Sequence, residues 1–459
     1  MKVAPLRLDR SLSASRVRRL MTSRPPADAL PRAWLRAAVA ALMVAGLFAV
    51  LVAIARLPGI QGVVGPSYYR LALVAHVAFS LNIWLLAFAA VLWTLLPTRL
   101  LGVEPDWRIG WAAFLASLLG IVLMIGATVA GVGTPALVDY LPMLVHPLFV
   151  SGLFIFLGGV AVTAVNYVAA LGAHRGALPA EAKVMRVAAV IFVMALVTLW
   201  AASYRGLGAD LESAVWGAGH LLQIVNAAGL VAGWLLLSPP GLGRGERALI
   251  AGLATLCLLP AVVVPLMHLP FVPVDLARMG LVSWAGLVPM TTLAWALVGR
   301  NIWVQRQRAS VPAALPVSMA LFAVGVALAA FGLEGDTRVT AHYHGTVGAV
   351  TVAFMGLAFR FVPALRLGPG RPRLERVQVL LYGGGLLALM IGMYWGGLTG
   401  ATRKAFESFS PDPGLLGPTL FVLTGALAAV AGGALFVVGI GWDLVRKPSP
   451  VARQARTRS

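Results

Sequence analysis

Seven histidines carry most of the chemistry open to this chain. Two of them stand two residues apart in Thr340-Ala341-His342-Tyr343-His344-Gly345, which opens an apolar run reaching Pro363. A helix turns about 100° per residue, so positions i and i+2 face nearly opposite sides. One helix can thus present an imidazole to a metal-centred group on each side. Neutral imidazole is the commonest metal ligand, and it suits iron and copper alike. An ionisable side chain inside a membrane helix is costly without a partner. The competing role for each histidine is a plain interhelical hydrogen bond. His76, His146, His220 and His268 belong to apolar runs of their own, whereas His174 lies in a basic loop.

The elements that position these residues follow from composition. The 459 residues are 60% hydrophobic and 11% charged, where a soluble domain has about a quarter charged. Mean hydropathy is +0.89. Such a chain is an all-α polytopic membrane protein. A span needs roughly 20 apolar residues. Twelve stretches qualify: 34–57, 68–96, 109–132, 144–172, 186–205, 211–238, 247–268, 275–299, 313–334, 338–364, 376–399 and 415–444. Residues 1–33 and 446–459 read as basic tails around one membrane domain, 34–445. The run beginning at Trp34 reads as an uncleaved anchor. Pro260 and Pro265 predict a kink near the end of the seventh span.

The net charge of +20 does not indicate nucleic acid. The Arg and Lys residues fall in the tails and in alternate loops, as the positive-inside rule requires. Both termini are therefore expected to be cytoplasmic, in a plasma or inner membrane. Arg403-Lys404 breaks the pattern and calls for a local anion. With this topology His76, His146, His220, His268, His342 and His344 share the outer leaflet. Cys257 is the single cysteine, which excludes a disulfide framework, a Cys-x-x-Cys-His heme attachment and a two-cysteine copper centre.

The ordered set of twelve helices, His76 in the second, Trp216-Gly-Ala-Gly-His220 in the sixth, His268 ending the seventh and His342-Tyr-His344 in the tenth resembles the catalytic subunit of the heme–copper oxidase superfamily. The style is nearest to divergent cbb3-type, subunit I-like chains. The resemblance covers about residues 34–445. It implies two hemes and a copper. His76 and His344 would be axial ligands of a low-spin heme. His342 would be the proximal ligand of a high-spin heme. His220 and His268 would bind the distal copper, so that His342, His220 and His268 form the catalytic set. Arg403 and Lys404 would hold heme propionates.

Two departures stand out. Where the family has a His-His pair this chain has Met267-His268, and a thioether favours copper(I). Ile224 stands where many oxygen-reducing members carry a tyrosine, and the seventh helix has none either. The substrate expected is dioxygen, with nitric oxide as the alternative. The electron donor is expected to be a membrane-anchored cytochrome c or a small copper-binding subunit. His146 reads as an interfacial hydrogen-bonding residue, or as a replacement copper ligand. No Asp, Glu or Lys is expected in the cytoplasmic half of the spans. Asp139, Asp210, Glu212, Glu334, Asp336 and Glu407 instead gather near the outer face, with Tyr140, Tyr204 and Gln223 as further proton-path candidates. A non-enzymatic heme or copper sensor or handling protein, and a transporter, are the rival classes. The lack of charged midplane residues argues against the transporter.

Overall fold

The computed structural model describes residues 27–55, 63–206, 210–269, 271–404 and 416–445. Most of the two basic tails, and Glu407, lie outside the described residues. The helices are α1 (Ala29–Ala55), α2 (Pro66–Leu101), α3 (Trp107–Val129), α4 (Pro147–Gly172), α5 (Ala180–Tyr204), α6 (Leu211–Leu237), α7 (Arg244–Leu256), α8 (Leu258–Leu266), α9 (Leu276–Gln305), α10 (Ala314–Ala330), α11 (Thr337–Ala364), α12 (Pro372–Leu398) and α13 (Leu416–Val445). Taking α7 and α8 as one span, eleven are long and apolar enough to cross a membrane among the described residues. The chain is an integral membrane protein. The twelfth expected span is α10, which has only 17 residues, about 26 Å of rise. A short hairpin, β1 (Thr134–Ala136) with β2 (Met143–Val145), stands between α3 and α4.

Most neighbours in the chain pack together, α12 on α13 and α3 on α4 most extensively, but α3 packs on α1 rather than along α2 and α7 packs on α5 and α9 rather than along α6; α13 returns to pack on α1. Arg36 Nε donates to the Leu444 carbonyl at 3.0 Å across that contact. Three helices form the centre. In α6, α11 and α2, 89%, 83% and 67% of the apolar window is buried, against 56% or less elsewhere. These are the helices that carry His220, His342, His344 and His76. A membrane helix facing lipid has no need of polar groups, so polar chemistry concentrates where protein surrounds the helix.

Two local irregularities serve the same end of the bundle. Helix α2 widens to a π segment over Ala78–Ile83, directly after His76; such bulges re-aim the side chains around them. The seventh span breaks earlier than its prolines predict. It interrupts at Cys257 rather than near its end, because Pro260 has no N–H to offer the Leu256 carbonyl. Asp210, Asp275 and Asp336 cap α6, α9 and α11 at this end. A carboxylate there accepts free backbone N–H groups and meets the positive helix end.

The opposite end corrects an expectation. Acidic groups do occur there: Asp28, Glu181 and Asp443 are buried, and Glu375 is partly buried. Asp28 pairs with Arg99 at 2.7 Å, Glu181 with Arg247 at 2.5 Å and Asp443 with Arg371 at 2.7 Å. The helices α5 and α12 begin at Ala180 and Pro372, before the apolar runs that betray them. Glu181 and Glu375 thereby fall within helices, while Asp28 precedes α1 and Asp443 lies in the last turn of α13. A buried charge is tolerated when it is paired.

Candidate functional site

The histidine rings are wired by the backbone. His76 Nδ1 meets the Ala45 carbonyl at 3.0 Å, and His344 Nδ1 the Thr340 carbonyl at 2.8 Å. His342 Nδ1 meets the Gly325 carbonyl at 2.8 Å. His220 Nδ1 meets the Trp216 carbonyl at 2.9 Å, and His268 Nδ1 the Val264 carbonyl at 3.0 Å. A carbonyl only accepts, so each Nδ1 carries the proton. Each Nε2 then keeps its lone pair, as a metal-ligating histidine requires. His268 Nε2 is buried with no hydrogen-bond partner among the described residues. His76 and His344 lie close enough to act on one another electrostatically.

His146 is wired in the opposite sense. It caps α4, and its Nδ1 accepts the Leu148 N–H at 3.2 Å. Its Nδ1 therefore holds the lone pair. This is the hydrogen-bonding role, and it sets His146 apart from the other five.

Depth agrees with wiring. Counted from the helix starts, His76, His220, His342 and His344 lie ten, nine, five and seven residues in, or roughly 15, 14, 8 and 11 Å. His268 follows α8 by two residues. The close approach of α10 to α11 brings the Gly325 carbonyl to His342. A Cβ at Gly345 would fall 2.6 Å from Gly325 Cα, so a larger residue would force the helices apart.

The Trp216-Gly-Ala-Gly-His220 motif acquires a steric meaning. A Cβ at Gly217 would stand 2.8 Å from His268 Cε1, and one at Gly219 would strike the Tyr140 ring at 2.5 Å. The glycines make room for two groups arriving from other elements. Trp216 Nε1 donates to the Leu276 carbonyl at 2.9 Å, tying α6 to α9.

Tyr140 is the residue that helix periodicity could not find. The hairpin loop between β1 and β2 carries it into the bundle. Its φ of 66° lies in the left-handed region, where a non-glycine residue is strained. Its ring packs against Trp216, His220 and Tyr343, with centroids 5.7, 5.0 and 6.2 Å away. Tyr140 Oη lies 3.4 Å from His220 Nε2, and Tyr343 Oη donates to Tyr140 Oη at 3.3 Å. Burial first, then the neighbouring Tyr343 hydroxyl and the Asp139 and Glu212 carboxylates, push the Tyr140 phenol far above its ordinary value. It therefore stays protonated. The only signal in the sequence was Asp139-Tyr140 itself, an acid and a phenol between two apolar runs.

The anion that Arg403-Lys404 called for is Asp139. Arg403 donates to both its carboxylate oxygens, at 2.8 and 3.1 Å, and Lys404 Nζ reaches one at 2.7 Å. The Asp139 N–H donates to Glu212. Burial alone would raise the Asp139 pKa, but the hydrogen bonds and charges of Lys404 and Arg403 outweigh it and hold the carboxyl below its ordinary value. The loop bearing Tyr140 is thus clamped from the far side of the bundle.

The donor set fits heme iron: His76, His344 and His342 offer free Nε2 atoms from central helices. It does not fit the three-imidazole copper site. No group of three or more His, Cys, Asp or Glu side chains lies close enough to hold a metal ion among the described residues. Met267 lines a surface cavity of about 460 Å³ with Asp275 and Arg278. The neighbour of His220 Nε2 is a tyrosine hydroxyl.

No family model matches the chain. An uncharacterised protein of Aquifex aeolicus (strain VF5) is 28% identical over 360 residues, 72% of this chain and 84% of the relative. The cryo-EM structure of a heme–copper terminal oxidase dimer superposes with a TM-score of 0.75 over 93% of this chain and 85% of that one, at 15% identity. That likeness is one of fold: the chain is an integral membrane helical bundle with the architecture of a heme–copper terminal oxidase.

Proposed function

We propose that this protein is a membrane-embedded heme-dependent oxidoreductase that reduces a diatomic oxidant, dioxygen foremost and nitric oxide as the alternative. One observation carries the reading. Five histidines gathered at one end, four of them on the three most buried helices, have Nδ1 fixed on a backbone carbonyl, which leaves the Nε2 lone pair in place; at His220 that lone pair meets the Tyr140 hydroxyl. The bundle they sit in has the terminal-oxidase fold.

In this reading His76 and His344 ligate a low-spin heme, and His342 ligates a high-spin heme on the other face of α11. The bound hemes supply electron transfer and a place for the oxidant. The chain's own residues fix ring orientation, exclude water and set access. Arg403 and Lys404 stand near enough to Asp139 and Tyr343 to neutralise propionates at the same end. His220 and His268 line the distal side, with Met267 next to the latter. The arginine distribution supports cytoplasmic termini with the histidine end outside, the orientation expected of a divergent cbb3-type subunit. Electrons come from a membrane-anchored cytochrome c or a small copper-binding subunit.

A second reading is favoured by the lack of a three-ligand distal cluster among the described residues: a heme-binding sensor or handling protein without turnover. Optical spectra of the purified, reduced protein with and without carbon monoxide separate the two from error. Two hemes, one of them CO-reactive, together with oxidant turnover support the enzyme. Two hemes without turnover support the sensor. A protein purified without heme, and unable to take it up, overturns both.

A further inference from the structure

We propose that Arg205 is the positioning residue of the distal side: by holding the main chain before and after His268, it fixes where that imidazole points. The proposal rests on the oxidoreductase reading above and deepens it.

His268 is the one candidate histidine ligand that no membrane-spanning helix carries. His76, His220, His342 and His344 each stand within a long span. His268 instead follows the nine-residue helix α8 by two residues, and a helix end leaves its last four carbonyls without helical partners. The chain tightens there. The His268 N–H goes to the Pro265 carbonyl at 3.0 Å and the Leu269 N–H to the Leu266 carbonyl at 3.1 Å, three residues back rather than four. Hydrogen bonds of that kind have the poorer geometry. The shift takes the His268 N–H off the Val264 carbonyl, which accepts the ring Nδ1 at 3.0 Å instead. That bond holds the ring to its own turn. It does not hold the turn to the bundle.

Arg205 does so. It closes α5, and Gly206 follows it with φ 80°, a left-handed residue that turns the chain away. Arg205 Nη1 donates to the Leu269 carbonyl at 2.9 Å and reaches the Met267 carbonyl at 3.5 Å. These residues stand on either side of His268. A cation here also meets the negative end of a helix dipole, and its charge lies within electrostatic range of the ring. Both contacts are to main chain, so they do not depend on which side chain stands at position 267.

The other side of the ring is walled by α6. A Cβ at Gly217 would stand 2.8 Å from His268 Cε1 and 3.2 Å from Thr198 Cγ2. Gly217 lies one turn before His220, and Thr198 lies on α5, as Arg205 does. Helix α5 thus flanks the seat of the ring at Thr198 and holds its turn at Arg205. The ring is set between a backbone wall and a guanidinium clamp, with its Nε2 buried.

The test uses the heme-loaded protein with Arg205→Gln, Arg205→Lys, His268→Ala and, as a control, Arg278→Gln, which removes an exposed arginine from the same end. The C–O stretch of carbon monoxide bound to the reduced protein reports the groups facing it without turnover. His268→Ala should shift the band. Arg205→Gln should show two bands, one at the wild-type and one at the His268→Ala position, with heme content unchanged. Arg205→Lys, which still offers a charged donor, should return most of the intensity to the wild-type band, and Arg278→Gln should keep that band alone. The low-spin heme bands should be the same in all four variants, whereas a general loosening of the bundle would move them too. A single wild-type band in Arg205→Gln overturns the proposal, as does an unmoved band in His268→Ala; both leave the oxidoreductase reading intact. If Arg205→Gln takes up no heme, hydrogen exchange in the full chain decides. The amides from 266 to 269 should then exchange about tenfold faster in Arg205→Gln than in Arg205→Lys, the factor for one lost charged hydrogen bond, and equal rates overturn the proposal. A wild-type protein with no CO-reactive heme overturns the oxidoreductase reading and the proposal together.

Discussion

His76 and His146 are both histidines of the same end of the bundle, yet their rings hold the proton on opposite grounds. His76 Nδ1 donates to a carbonyl, while His146 Nδ1 accepts an N–H. Their substitutions should therefore diverge. His76→Ala should abolish the low-spin heme bands and leave a CO-reactive heme; intact bands from both hemes would remove His76 from the ligand set. His146→Ala should leave the spectrum unchanged and cost about 1 kcal/mol of stability, the size of a lost helix cap. Loss of metal or heme in that variant would contradict the wiring. At the distal side, Met267→His should raise copper retention under a chelator, because it adds an imidazole beside His268. Equal copper loss in the two proteins would place Met267 outside the ligand shell. The histidines were legible from sequence because burial makes each one conspicuous in an apolar run. The sense of each ring was not, since it depends on which carbonyl a neighbouring helix offers. Gly325 lies 17 residues from His342 and Ala45 lies 31 from His76.

The loop from 137 to 142 is held by elements far along the chain. Arg403 reaches it across 264 residues. Periodicity reads helices from local pattern and is blind to such pairings, so Tyr140 was visible as a polar residue near the outer face but its seat against His220 was not. The same reading did find Arg403-Lys404, because a positive pair on the wrong side violates a rule that acts along the whole chain. The clamp has a definite pH signature. The Asp139 carboxyl is held below its ordinary value, so its contribution is fully present above the ordinary carboxylate range. It is lost only as pH falls through the depressed value. Limited proteolysis should find the loop protected at neutral and mildly acidic pH and open below that range. Asp139→Asn should open it at neutral pH. Equal protection in the two proteins would assign the loop's order to the hairpin alone. Replacing both Arg403 and Lys404 with Gln should loosen the loop and lower the heme midpoint potential, since nearby positive charge favours the reduced iron. A tight loop with an unchanged potential would reduce the pair to a surface feature.

At the scale of the whole molecule, charge and apolar length made the bundle legible. The boundaries were less so. Helices α5 and α12 extend into polar sequence because Glu181 pairs with Arg247 and Arg360 lies near Glu375. The seventh span breaks where a missing N–H dictates. Orientation follows from the arginines and can be read directly. In a Cys257→Ala background, Val145→Cys, half exposed at the end of β2, should react with an impermeant maleimide in intact cells. Arg175→Cys should react only after permeabilisation. The reverse pattern would invert the topology.

The ring closes through α13 on α1, and Leu416 follows Ala55 by 361 residues. At about 5–20 residues per second of synthesis, the first helix waits roughly 20–70 s for its final neighbour. During that interval the α1 face that α13 will cover lacks its partner, and α2, α6 and α11 are all present only over the last part of it, after Ala364. If a large planar guest is to enter the centre, the short window between the synthesis of α11 and that of α13 should be its easiest route. Shortening the chain ahead of α13 should prolong that window, with nothing left to latch it shut.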